Sequence, residues 1–238
     1  MKRDSVLAAA RELHWVFLAV GALQAQTVFA QEITPEADEV LRAMSDHMAS
    51  LPAFRLTAEA STEILLRDGR KVQLTADTEA LIDRTKGARI TRYGPAGATT
   101  VVYDGETLSI GNAEARVYGS LPAPGGLDTA LDEVRVVLGD EAVGGSDLLY
   151  TNPYDGLMLE VEKGEHLGMA RVGGQLTHHL SYRAAEIDWQ LWVAAEGDPL
   201  PVRYVITSKW ISAAPQFSVQ IGSFETVEDV TAEDFDLS

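Results

Sequence analysis

The chain has 238 residues, of which 46% are hydrophobic, no cysteine, and a formal net charge of −17. The length supports a sizeable core. The charge disfavours nucleic-acid phosphates and anionic membrane surfaces as partners, and the lack of cysteine removes disulfides, thiolate chemistry and a cysteine-borne lipid anchor.

Lys2, Arg3 and Arg11 give the start of the chain a basic character, and an apolar run from Leu13 to Leu23 follows. That run is short for a membrane span and has the form of an export signal. Val28-Phe29-Ala30 supplies the small and aliphatic residues that a signal peptidase reads. Residues 1–30 are therefore expected to be a signal removed after Ala30. The mature protein is expected in the periplasm, without a membrane span, with residues 31–238 folding as one domain.

Thr34-Pro35-Glu36 reads as a helix start, with a hydroxyl cap, proline at the first helical position and an acid in the first turn. Val40, Leu41, Met44, Met48 and Leu51 then recur at helical spacing, and Pro52 ends the run. From Phe54 to Leu66 every second residue is apolar or small, which predicts a long strand with one wet face. Asp68-Gly69 turns it into a second long strand from Val72 to Ile82. Four short strands follow, around 89–93, 99–103, 106–110 and 116–118, separated by Gly-Pro, Asp-Gly and Gly-Asn turns.

The run LPAPGG from Leu121 to Gly126 breaks the strand pattern. Leu127, Ala130, Leu131, Val134, Val137 and Leu138 then predict a second amphipathic helix closed by Gly139, and 146–150 one further helical turn. Strand is expected again from Leu157 to Arg171, with Gly164 and Gly168 as bulges or bends. Gly173-Gly174 leads into a three-strand meander over Thr177–Thr207, and a last strand holds Phe217, Val219 and Ile221. The expected fold is mostly β (α+β): a single curved antiparallel sheet of about eleven strands. Two or three helices cover its concave face, because so many short-looped strands must curl.

Trp189, Trp192, Trp210, Tyr204, Met44 and Met48 are large apolar side chains suited to core packing or to lining a ligand cavity. His178, His179, Asp188 and Arg203, with Gln190, form the polar cluster of the meander. Adjacent strand histidines point to opposite faces, and His179 with Asp188 across the hairpin supplies only two groups, short of the three protein ligands usual for catalytic zinc. No nucleophile elbow, phosphate loop or dinucleotide fingerprint is present. The reading is therefore a non-enzyme with no catalytic set, metal or cofactor. The enzymatic alternative is a hydrolase using His179 and Asp188.

The segments THHLSYR, DWQLW, PLPVRYVIT and PQF between residues 177 and 217 resemble the bacterial DUF2092 family of predicted periplasmic proteins. So do Tyr103-Asp104-Gly105 with Thr107-Leu108, the run Pro122–Asp132, and Gly173. Two positions depart: Thr177 stands where relatives often carry cysteine, and Gly222-Ser223-Phe224 where they often carry tryptophan. The resemblance implies a fold similar to the lipoprotein-carrier group, an incomplete and strongly curved antiparallel barrel wrapped over helices, whose members bind acyl chains or lipidated and unfolded polypeptides in the concavity. It implies a lipid or lipidated protein as ligand. The alternative is a sensor or interaction subunit docking an envelope protein, with no small-molecule ligand.

Overall fold

A computed structural model describes residues 32–139 and 145–237. The expected export signal lies outside the described residues. Helix α1 (Pro35–Ser50) begins as the sequence indicates, with Pro35 in its first turn and Glu36 and Asp38 at its positive end. Thr34 occupies the cap position, but its hydroxyl makes no capping bond; its carbonyl accepts from Asp38 N at 3.1 Å instead. Leu41, Met44 and Met48 are fully buried.

Strands β2 (Ala53–Leu65), β3 (Lys71–Asp83), β4 (Gly87–Gly94), β5 (Gly97–Tyr103), β6 (Thr107–Asn112) and β7 (Val117–Pro122) form an antiparallel meander. Helix α2 (Leu127–Leu138) follows, running from Gly126 to Gly139, both at positive φ. Its buried face is Leu127, Ala130, Leu131 and Val134, while Val137, assigned to that face by spacing, is 51% exposed. A 3-10 turn (Ser146–Leu149) and helix α3 (Pro153–Leu157) complete the insertion.

Helix α3 replaces the start of the strand expected from Leu157. Pro153 follows Asn152, whose side chain accepts from Asp155 N, and this caps a helical turn before β8 (Val161–Val172) begins. Strands β9 (Gln175–Ala184), β10 (Ile187–Ala194), β11 (Pro201–Ser208) and β12 (Gln216–Thr226) form the second meander. β12 pairs with β2, so the two meanders join into one sheet. The sheet has twelve strands rather than eleven. The extra one is β1 (Glu32–Ile33), two residues pairing in parallel with β8 at one end of the strand order, opposite β7. The sheet is not closed into a barrel.

Of the two glycines expected as bends in β8, only Gly168 lies at a register shift, with φ 105°. Gly164 serves a close approach: a Cβ there would lie 2.5 Å from the Tyr182 ring. The Tyr182 hydroxyl donates to Ala37 O at 2.9 Å, which ties α1 to this half of the sheet. The last segment crosses the outer face as a 3-10 turn (Ala232–Phe235), with Phe235 and Val230 packed on Ala53, Leu81 and Val102.

Candidate ligand-binding cavity

The concave face has two unlike halves. Over β9–β11 it is filled by large rings. Trp189 stacks on Tyr182 at 4.1 Å between centroids and meets Tyr204 edge-on at 5.8 Å, with all three buried. Over β2–β6 the inward positions include Ala58, Ala60, Ala80 and Ala88, and these line a cavity of about 290 Å³. Small side chains on a curved sheet leave volume that their neighbours cannot fill, because packed interiors relax only partly. Leu127, Ala130, Leu131 and Val134 of α2 form the opposite wall, with Leu148 and Leu149 at one end and Phe217, Val219 and Ile221 of β12 at the side.

Arg84 holds that end wall in place. It leaves the β3–β4 turn and donates to Met48 O at 2.8 Å and Leu51 O at 3.1 Å, at the end of α1. It also donates to Leu149 O at 3.3 Å and Tyr150 O at 3.1 Å, at the end of the 3-10 turn. Burial pushes its guanidinium down from the usual value, and Asp128 partly opposes this. The carbonyls at helix C-termini carry the negative end of the dipole, so Arg84 is compensated largely by backbone.

Of the residues singled out from sequence, Met48 lines the cavity. Met44, Trp189 and Tyr204 are buried in the packed core beside it. Burial raises the Tyr204 hydroxyl well above its ordinary value. Trp192 faces the outer side of the sheet, where His179 stacks on it at 4.2 Å and the Arg203 guanidinium lies 5.4 Å from its ring centre. Trp210 is 73% exposed and donates to Ala185 O at 2.9 Å.

His179 and Asp188, the pair of the hydrolase alternative, do not meet. The register of the β9–β10 hairpin sets His179 opposite Trp192 and Asp188 opposite Arg183. His179 Nε2 bonds Gln190 Oε1 at 2.9 Å, and Asp188 lies 3.3 Å from Arg183 and 3.5 Å from Lys209. His178 points to the other face, its Nδ1 3.1 Å from His166 Nε2. Burial, and then the neighbouring His166, lowers the His178 pKa. Among the described residues no three metal-ligating side chains gather into one group.

In the sequence the large residues stand out and the small ones do not. The available signal was the alanine at alternate positions of β2 and β3, which marks an inward face with little side-chain volume. A second hollow of about 530 Å³ lies on the outer face, between the tail residues Phe235–Leu237 and polar residues of β6 and β7 such as Ser109 and Ser120. It is the seam under the tail.

Among the described residues no helix is long and apolar enough to cross a membrane. No curated protein matches the chain in sequence. Among solved structures, the Mycobacterium tuberculosis lipoprotein LppX is similar at 13% identity and a TM-score of 0.50, over 83% of this chain and 99% of LppX. LprF from Mycobacterium bovis aligns at 14% identity and a TM-score of 0.49, over 83% of this chain and 97% of LprF. A LolA-superfamily protein from Nitrosomonas europaea aligns at 10% identity and a TM-score of 0.39, over 84% of this chain and 97% of its own. At such identities the likeness to LppX is one of fold. Residues 37–238 match the family model described as predicted periplasmic protein (DUF2092), and the chain belongs to that family.

Proposed function

We propose that this is a periplasmic binding protein without catalytic activity, which holds one apolar ligand, such as a lipid or a lipoprotein acyl chain, between β2–β6 and α2. The observation that carries the reading is the cavity of about 290 Å³ with mostly apolar walls. Pockets for small molecules run from about 300 to 1,000 Å³, so this one suits a single slim ligand. The separation of His179 from Asp188 counts against the hydrolase alternative built on that pair. Under the same reading residues 1–30 are an export signal, removed after Ala30, and 31–238 form one domain.

The test is native mass spectrometry on protein exported to a bacterial periplasm and purified without detergent. The expected result is a chain beginning at Gln31 that carries an adduct of lipid mass, removed by organic extraction. A clean apo mass that stays clean after incubation with alkyl probes overturns the reading.

A second reading is an envelope interaction subunit, favoured by β7. This strand ends the sheet order and exposes Val117 and Tyr118 at 63% and 67%. Such an edge can accept a partner's strand. Cross-linking from Tyr118 to a stoichiometric envelope protein is its expected signature.

A further inference from the structure

Strands β2 and β3 outrun their neighbours. β12 pairs with β2 only as far as Thr62, and the β4 ladder on β3 ends at Asp77. Residues 63–76 therefore project as a two-stranded hairpin, with Lys71 about 20 Å beyond the last pair with β4. Ile64, Val72 and Leu74 share the inward face with Ala58 and Ala60, so an apolar strip runs from the cavity wall up the hairpin. Leu65 lies on the opposite face, and both Leu65 and Leu74 are exposed.

The turn between β11 and β12 stands beside this hairpin. Glu63 joins the two, its Oε2 accepting from Lys71 Nζ at 3.0 Å and from Gln216 N at 2.9 Å. Trp210 and Ile211 lie in the turn, and both are exposed. The Trp210 indole donates to Ala185 O at 2.9 Å and Lys209 Nζ to Ala184 O at 2.7 Å, which fixes the turn against the β9–β10 hairpin. Trp210 is thus held outward with its one polar atom satisfied. Ala213 and Ala214, at φ 66° and 42°, complete the turn in a conformation that a side chain adopts at a cost.

This end of the molecule also differs in charge. Residues 63–75 carry three basic side chains against two acidic ones, and Lys209 is the only charged residue of 208–216, a net of +2 on a chain of −17. Exposed tryptophan and aliphatic side chains beside arginine and lysine suit the headgroup level of a bilayer, where the rings bury and the cations reach water. Projecting turns offer little area to a protein partner, which needs about 800 Å² a side. A bilayer needs only a few side chains inserted by about 5–10 Å.

We propose that the β2–β3 hairpin and the β11–β12 turn form a pole that docks reversibly on a lipid bilayer. Trp210, Ile211, Leu65 and Leu74 enter the boundary between headgroups and acyl chains, and Arg67, Arg70 and Lys71 stay among the headgroups. The acidic remainder of the protein is repelled by anionic lipid, so this pole is the part that faces the surface. The docking stands independently of what the cavity holds.

The test is flotation of the full exported protein with phosphatidylcholine vesicles, read together with tryptophan fluorescence. The expected result is protein that floats with the vesicles at low and high salt, with emission shifted to the blue and quenched by lipids brominated in their acyl chains. Trp210→Ser with Ile211→Ser lowers the vesicle partition by about tenfold or more, and Leu65→Ser lowers it several-fold. The melting temperature is expected to hold in both, because the replaced side chains are exposed. Met169→Ser, equally exposed but on β8, leaves the partition unchanged. Wild-type protein that stays with the vesicle-free fraction overturns the proposal, as do pole variants that float like wild type. Binding lost at high salt also overturns it, since that marks adsorption by charge. A wild-type dimer that Trp210→Ser dissolves, without vesicle binding, makes the pole a contact between two copies of the chain instead. The lipid adduct sought by native mass spectrometry tests the cavity separately, and either result can fail without the other.

Discussion

Two neighbouring residues in the β3–β4 turn show how differently a charged side chain can contribute. Asp83 is 6% exposed. Burial pushes its carboxyl up, but bonds from Thr85 Oγ1, Thr85 N and Lys86 N at 2.8–3.0 Å, with Lys86 Nζ at 3.3 Å, outweigh this and hold it below the usual range. A depressed carboxyl stabilises the fold above its unfolded pKa and loses that stabilisation as pH falls through its folded one, a window below about pH 4. Asp83→Asn is expected to cost about 1–2 kcal/mol at pH 7 and to flatten the acid limb of the stability curve. Urea melts at pH 7 and pH 3 check this, and parallel losses for variant and wild type would refute it. Arg84 acts through geometry. Its fork satisfies four carbonyls from two helical segments, and Lys has a single nitrogen to offer. Arg84→Ala is expected to destabilise by about 2–4 kcal/mol, with Arg84→Lys recovering less than half, measured by thermal unfolding.

At the scale of elements, β3 and α2 set the cavity by what they lack. Ala80 sits between Leu56 and Ile90 in its row and lines the cavity, as do Leu131 and Val134 of α2. A larger ring there enters existing volume, so the usual overpacking cost of about 1–3 kcal/mol is not expected. Ala80→Phe should leave the melting temperature unchanged or raise it, while abolishing uptake of alkyl probes. A variant that binds them with wild-type affinity would remove the cavity from consideration. α1 plays the opposite part. Its Leu41, Met44 and Met48 are fully buried, and the tyrosine bond to Ala37 O fixes it over the ring-filled half.

At the scale of the whole molecule, one sheet serves two purposes. The β8–β11 half is a conventional core, with Trp189 in ring contact with both Tyr182 and Tyr204. The β2–β6 half is a wall of the cavity. The division lets the protein keep a cavity without losing its cohesion, since side-chain volume missing on one side carries a cost that a packed neighbour can offset. The adduct expected in native mass spectrometry is the property that belongs to this scale, because walls from α1, α2, the 3-10 turn, β12 and β2–β6 all contribute.

Much of the fold was written locally. Alternation in Phe54–Leu66 and Val72–Ile82, the Asp68-Gly69 turn and the proline-started helix at Pro35 are short-range signals, and they placed β2, β3 and α1. The resemblance carried by residues 177–217 named the family, which the match over 37–238 shows. What the sequence left open was non-local. The two residues of β1 become a strand only because β8 is beside them, and α3 is too short for periodicity to reveal. A turn arginine such as Arg84 reads as solvated until two helix ends are brought to it. Above all, the sequence showed large rings and small alanines without showing which of them would face an opposing wall. Side-chain size is local, but cavity volume is the difference between two surfaces brought together, and only tertiary structure decides which half of the sheet stays open.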